Sequence, residues 1–197
     1  MGKIQKKTAY MLITGASAGI GAATALALAK KNESLILTAR RLDRLKKLQQ
    51  QCLQLGAENV LIYKLNVQNK AEIKKMAVDV KKKKLQIKGL INNAGLAKGV
   101  ELFQNSNPAD WDVMLETNVK GLLNTTREFL ANLVQNKGHI INLGSVAGRL
   151  VYEGGAVYCA TKFAVRAISD GLRMDLKGTG VRVTNIQPGM VETVFSL

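Results

Sequence analysis

The chain has 197 residues, 47% hydrophobic and 22% charged, with a formal net charge of +15. That balance suits one globular domain spanning residues 1–197 and excludes a disordered chain. No apolar run approaches the ~18 residues of a membrane span, and the basic stretch Met1–Lys7 leads into a short apolar run and a glycine-rich loop, as a first strand does and a signal peptide does not.

Cys52 and Cys159, isolated from each other, form no disulfide framework and fit a reducing cytoplasm. Many lysines, including Lys74, Lys75 and Lys81 to Lys84, fall where outer helix faces are expected, so the charge reads as solvated surface. With no zinc spacing and only 5% aromatic residues, no specific nucleic-acid module accompanies it.

Short apolar runs alternate with helical patterns along the whole chain. The run Ala9 to Ile13 precedes an alanine-rich helix from about Ile20 to Lys31. Ser34 to Thr38, a helix from Arg41 to about Leu55, and the run Val60 to Leu65 follow. After a lysine-rich helix come Gly89 to Ile91 and then Asn107-Pro108, a helix start in which Asn107 caps and Pro108 fits the first turn. That helix and the next reach about Asn136. His139 to Leu143, a long helix from Gly155 to Lys177, and Val181 to Ile186 complete the series. The runs are continuous rather than alternating, as in parallel strands covered on both faces, and strict alternation of strand and helix predicts a doubly wound α/β sheet.

At the first strand-to-helix junction stands Thr14-Gly-Ala-Ser-Ala-Gly-Ile-Gly21. Gly15, Gly19 and Gly21 suit the turn, the approach of backbone to a pyrophosphate and helix-on-strand packing, with Ser17 and Ile20 in the same loop. The helix N-terminus behind them offers free N–H groups to phosphates. This is the pattern of a Rossmann-type dinucleotide site. A site preferring NAD carries an acid near the end of the second strand, but here Thr38-Ala-Arg-Arg41 stands there, with no acid before Asp43. Arg40 points to NADP, whose 2′-phosphate a guanidinium grips bidentately. Arg41 serves equally well in that role or as the start of a basic helix.

Tyr158 and Lys162, at i and i+4, share one helix face. A neighbouring Lys⁺ is expected to lower the phenol's pKa and fit it for proton transfer as hydride moves. Ser145, at the end of a strand, can hold the same substrate oxygen, or simply cap a turn. His139 lacks metal-ligand neighbours and reads as structural. Cys159, Trp111 and the methionines read as packing residues, and no metal site is expected.

Thr14 to Gly21, Asn92-Asn-Ala-Gly95, Asn118, Ser145, Tyr158 to Lys162 and Pro188-Gly189 occur in the order found in the short-chain dehydrogenase/reductase family, which the chain resembles over nearly its whole length. Thr38 to Arg41, Asn93 to Ala97, Gly138 to Asn142, Val191 to Thr193 and Phe195-Ser196 are similar to its NADP-dependent 3-hydroxy acid dehydrogenase group, which also oxidises serine or allo-threonine.

The resemblance implies an oxidoreductase that interconverts an alcohol and its carbonyl. It makes Tyr158 the general acid–base and Ser145 the residue that orients the substrate. Lys162 holds the nicotinamide ribose and tunes Tyr158, while Asn118 anchors a relay water. Asn66 and Val67 then face the adenine, Asn66 standing where the family usually has aspartate. Asn93, Ala94 and Gly95 line the adenosine side of the groove, and Pro188, Gly189, Val191 and Thr193 meet the nicotinamide carboxamide.

Relatives continue beyond the position of Leu197, so the chain is expected to be C-terminally incomplete relative to the family. The sixth strand then forms a sheet edge able to recruit another chain, and water exclusion suffers. The alternative expectation is a shortened remnant that binds NADP(H) or a partner without turnover. The helices at Val119 to Asn136 and Gly155 to Lys177 resemble the family's dimer surface, which implies a homodimer but not a tetramer.

Overall fold

The computed structural model describes residues 8–191. Strand β1 (Ala9–Thr14) passes through the glycine loop into α1 (Gly19–Ala29). Then follow β2 (Ser34–Ala39), α2 (Leu42–Gln54), β3 (Val60–Lys64), α3 (Lys70–Lys82) and β4 (Gln86–Asn92). A helical region follows, with α4 (Pro108–Leu115), a π-helical stretch Glu116–Gly121 and α5 (Leu122–Gln135). The described part ends with β5 (His139–Leu143), α6 (Ala156–Asp175) and β6 (Arg182–Ile186).

All six strands pair in parallel in one sheet, ordered β3-β2-β1-β4-β5-β6. Every residue of β2 is buried, Ser34 and Thr38 included, as expected of an interior strand covered on both faces whose other residues are all apolar. On one face, α1 and α2 pack Ala25, Ala29, Leu45, Leu48 and Cys52 against Ile13, Leu35 and Leu37. The three α2 residues recur at helical spacing, and each large aliphatic side chain so buried contributes ~1.5–3 kcal/mol. On the other face, α3 and α5 bring Ile73, Met76, Val80, Phe129 and Leu133 onto Leu12, Ile36, Leu90 and Ile140. The architecture is the doubly wound parallel α/β sheet of the Rossmann type. No helix among the described residues is long and apolar enough to cross a membrane.

Two elements differ from the sequence expectation. Strand β4 starts at Gln86 rather than Gly89, because Gln86 and Lys88 lie half-exposed at the sheet's entrance and break the apolar run. Lys88 there pairs with Glu33. The helix expected from Val119 begins instead at Leu122, after the π-helical stretch. Within that stretch Gly121 presses on Val67, where a Cβ would lie only 2.9 Å from Val67 Cγ2. The α4 start is as read: Asn107 Oδ1 accepts from Ala109 N at 3.0 Å, with Pro108 in the first turn.

Candidate active site

The strand order reverses direction between β1 and β4, which opens a crevice at their carboxyl ends. The loop after β1 is held there by β4. Thr14 Oγ1 accepts from Asn93 N at 3.1 Å and Ala94 N at 3.0 Å. Asn93 Nδ2 donates to Thr14 O at 2.9 Å and Gly15 O at 3.1 Å. Both amide hydrogens of Asn93 therefore clamp the loop. Gly15 has φ +64°, and a Cβ there would lie 2.7 Å from Ala94 Cα, so the turn and the close approach both demand glycine. Gly95 borders Asn118 and Lys162.

At the N-terminus of α1 neither a side-chain cap nor an acidic first-turn residue competes for the free N–H groups. Asn69 and Asn107 do cap α3 and α4. Gly19 and Ile20 open α1 beside Gly21. Arg40 and Arg41 are both exposed at the end of β2. Arg41, open between two readings in sequence, reaches back so that its Nη2 donates to Ser17 Oγ at 3.2 Å. Asn66 folds into its own turn, its Oδ1 accepting from Gln68 N at 3.2 Å and its N donating to Glu72 Oε2 at 2.8 Å. Val67 beside it is buried. Backbone donors, two guanidiniums and the glycine turn suit a doubly phosphorylated dinucleotide with an extra phosphate on its ribose.

Ser145, Tyr158 and Lys162 converge at the end of β5. Ser145 caps a single 3₁₀ turn, Val146–Gly148, its Oγ accepting from Ala147 N at 3.1 Å. The same hydroxyl hydrogen-bonds the Tyr158 phenol. Ser145 thus caps the turn, one of its two readings in sequence, while its hydroxyl also faces the Tyr158 phenol. Lys162 is 6% exposed and donates from Nζ to Leu143 O at 2.9 Å.

The electrostatics correct one expectation. Burial raises the Tyr158 pKa above its ordinary 10.0, the Ser145 hydrogen bond opposes without cancelling it, and Tyr152 and Cys159 raise it further. Lys162 does not reverse this. Its Nζ stands 5.7 Å from the Tyr158 ring centroid, and burial pushes its own pKa down from 10.5 to about 8. Desolvation outweighs the attraction expected from i, i+4 spacing.

Asn118 lies in the π-helical stretch, 2% exposed. Its Oδ1 accepts from Leu96 N at 2.9 Å, and its Nδ2 donates to Leu96 O at 2.8 Å and Thr161 Oγ1 at 3.1 Å. Both amide hydrogens are thus committed to tying the β4 loop to α6. Beneath the site, Asn92 Nδ2 donates to Asn142 Oδ1 and Thr126 Oγ1, each at 2.9 Å. Asn142 Nδ2 continues to Ser169 Oγ at 2.9 Å, so a buried polar chain runs from α5 through the sheet to α6. On the far side, Val146 N donates to Pro188 O at 3.0 Å, and Gly189 and Val191 follow, exposed. Glu192, Thr193, Phe195 and Ser196 lie outside the described residues.

A cleft of about 330 Å³ opens beside Tyr158, lined among others by Lys98, Glu101, Phe103, Trp111, Tyr152 and Glu153. Trp111, read in sequence as a packing residue, stacks on Phe103 with centroids 5.1 Å apart and walls this cleft. Nothing periodic marks these residues, because they come from three separate places: the loop after β4, helix α4 and the loop after β5. Elsewhere, His139 Nε2 meets Thr184 Oγ1 at 2.8 Å, and Cys159 is buried with Sγ 3.8 Å from Leu150 O.

A glycine phosphate loop at a switch point, with Ser, Tyr and Lys at the end of the fifth strand, defines a dinucleotide-linked oxidoreductase. The chain belongs to the short chain dehydrogenase family, which matches residues 9–196.

It is 46% identical over 182 residues to the NADP-dependent 3-hydroxy acid dehydrogenase of Salmonella typhi, covering 92% of this chain and 72% of the relative. Sulfoacetaldehyde reductase 2 of Chromohalobacter salexigens is 41% identical, with 95% and 74% covered. Among solved structures, the closed form of serine dehydrogenase complexed with NADP⁺ superposes with a TM-score of 0.89 at 43% identity, covering 95% of this chain and 75% of that one. An alcohol dehydrogenase from Thermococcus sibiricus complexed with 5-hydroxy-NADP gives 0.90 at 29% identity, with 96% and 79% covered.

Proposed function

We propose that the protein is an NADP-dependent oxidoreductase that interconverts a 3-hydroxy acid and its 3-oxo acid, with Tyr158 as the general acid–base. The observation that carries this reading is the Ser145–Tyr158 hydrogen bond with the buried Lys162 one helical turn on. A bound nicotinamide dinucleotide supplies or accepts the hydride. Arg40 and Arg41 hold its 2′-phosphate, and Gly15, Ser17, Gly19, Ile20 and Gly21 its pyrophosphate. Asn66 and Val67 border the adenine, and Asn93, Ala94 and Gly95 form the floor of the groove. Pro188, Gly189, Val191 and Thr193 border the nicotinamide.

In the reducing direction the substrate carbonyl oxygen accepts hydrogen bonds from Ser145 and Tyr158. Tyr158, protonated at neutral pH because its pKa is raised, gives its proton to that oxygen as the carbonyl carbon gains hydride. The products are the alcohol and a phenolate, which is reprotonated from solvent. Lys162 holds the ribose next to the reacting carbon and, while charged, stabilises the phenolate. Asn118 acts as a positioning residue through Leu96 and Thr161, with one Oδ1 lone pair left for a relay water.

A homodimer through α5 and α6 fits the exposed Leu123, Phe163 and Met174 on those helices. Sedimentation as a monomer at working concentrations contradicts it.

The test follows NADPH absorbance with a panel of 3-oxo acids, and NADP⁺ reduction with the matching hydroxy acids. Tyr158→Phe lowers turnover by roughly 10²–10⁴-fold while NADPH still binds. A variant with full turnover overturns the assignment of Tyr158. NADPH binding without turnover by the native chain supports instead the reading of a binding protein.

A further inference from the structure

We propose that Lys98 is the specificity-determining residue of the cleft, the group that receives the substrate's carboxylate and so selects hydroxy acids over neutral alcohols. The inference rests on the oxidoreductase reading above and concerns the same site.

Three observations carry it. First, Lys98 and Tyr158 line one cleft, and among its described lining residues Lys98 is the only cation. Second, Lys98 is held in place: Asp110, at the start of α4, accepts from its Nζ at 2.9 Å, with the two side chains 50% and 27% exposed. An ammonium has three donors, so this pairing fixes the head group and leaves two donors for a ligand. Third, the other charged groups on the walls, Glu101, Glu153 and the Asp110 that pairs with Lys98, are all acidic. A carboxylate entering the cleft therefore meets one attractive centre and is repelled elsewhere, which fixes which end of the substrate faces Tyr158.

The loops that build this arrangement are packed on each other. The backbone of Gly154 lies directly against the Val100 carbonyl, with no room for a Cβ. The Lys98 loop and the Tyr152–Gly155 segment therefore form one wall, joined to α6 and Tyr158. A substrate held at its hydroxyl by Ser145 and Tyr158 and at its carboxylate by Lys98 is attached at two points, the condition for a reactive orientation. A neutral alcohol gains nothing from Lys98.

The readout is a ratio: kcat/KM for 3-hydroxybutyrate against kcat/KM for the neutral 1,3-butanediol, both oxidised at the same secondary alcohol. In the full chain, Lys98→Met lowers this ratio about tenfold, the worth of one partly exposed charge contact, and Lys98→Arg restores most of it. Lys98→Gln serves as a second uncharged variant, and NADPH affinity, measured in parallel, reports that each variant keeps its cofactor groove. A ratio unchanged within about twofold in the uncharged variants overturns the proposal while the oxidoreductase reading stands. Failure of the native chain to oxidise either compound overturns both.

Discussion

Replacing Lys162 by methionine should stabilise the fold while destroying turnover. Burial moves the Lys162 pKa from 10.5 down to about 8, and each pH unit of such a difference is worth ~1.4 kcal/mol. Charging this side chain inside the fold therefore costs about 3 kcal/mol. The folded-state pKa lies below the unfolded one, so at pH 7, where both states hold the proton, the whole cost is present. Between about 8 and 10.5 the unfolded chain keeps a proton that the folded chain has released, and stability rises with pH. Above that window the lysine is neutral in both states and the cost is gone.

Lys162→Met removes the cost at every pH but also removes the 2.9 Å bond to Leu143 O, a loss of ~1 kcal/mol. The variant should be more stable than the native chain by about 2 kcal/mol at pH 7. It should become less stable by about 1 kcal/mol near pH 10.5. Urea unfolding of both chains at the two pH values measures this, and the comparison cancels the titration of other groups. A variant less stable at pH 7, or a difference that does not change with pH, refutes the electrostatic account of Lys162.

The same titration shapes activity: kcat/KM for carbonyl reduction should stay level below pH 8 and fall above it as Lys162 loses its charge, and a profile without a break in that region contradicts its role. Reversing Arg40 and Arg41 together to glutamate should weaken NADPH roughly a hundredfold with a much smaller change for NADH, measured by direct titration. Equal losses for both cofactors would mean that the pair does not read the 2′-phosphate. Gly121→Ala drives a methyl to 2.9 Å from Val67 Cγ2 and should cost about 1–3 kcal/mol in denaturant unfolding, with turnover falling as the neighbouring Asn118 shifts.

The strands and most helix boundaries were legible because local signals agree with the global fold. Thr14 to Gly21 ends a buried strand, turns and opens a helix in eight residues, and each of those steps has its own residue chemistry. Asn107-Pro108 is equally explicit. What sequence alone hides is whatever depends on distant partners. The π-helical stretch around Asn118 has an ordinary helical pattern, and the ties that accompany it come from Leu96, Thr161 and Val67. The Tyr158–Lys162 spacing shows that the two share a helix face but says nothing of how deeply they are buried, and burial decides the direction of both pKa shifts. Arg41 looked like either a helix start or a phosphate ligand, and its bond to Ser17 exists only because β1 and β2 end side by side. Trp111 and Phe103 form a cleft wall that no periodicity could announce.

These ties divide the site into two mechanical parts. Asn93 to Thr14, Asn118 to Leu96 and Thr161, and Lys162 to Leu143 are bonds between the ends of strands and their neighbours. They fix the dinucleotide groove and the proton-transfer groups to one frame, so a displacement of either disturbs both. The cleft beside Tyr158 is built differently, on exposed loop residues such as Leu102, Phe103 and Tyr152, whose replacement breaks none of these bonds. On the proposed function, chemistry is therefore constrained by the sheet and substrate choice by the loops. In this chain that separation has a definite consequence: substitutions at Lys98 should alter which substrates are turned over while leaving the Lys162 titration near pH 8 where it is, because Lys98 pairs with Asp110 and takes no part in the Leu143 bond that holds Lys162.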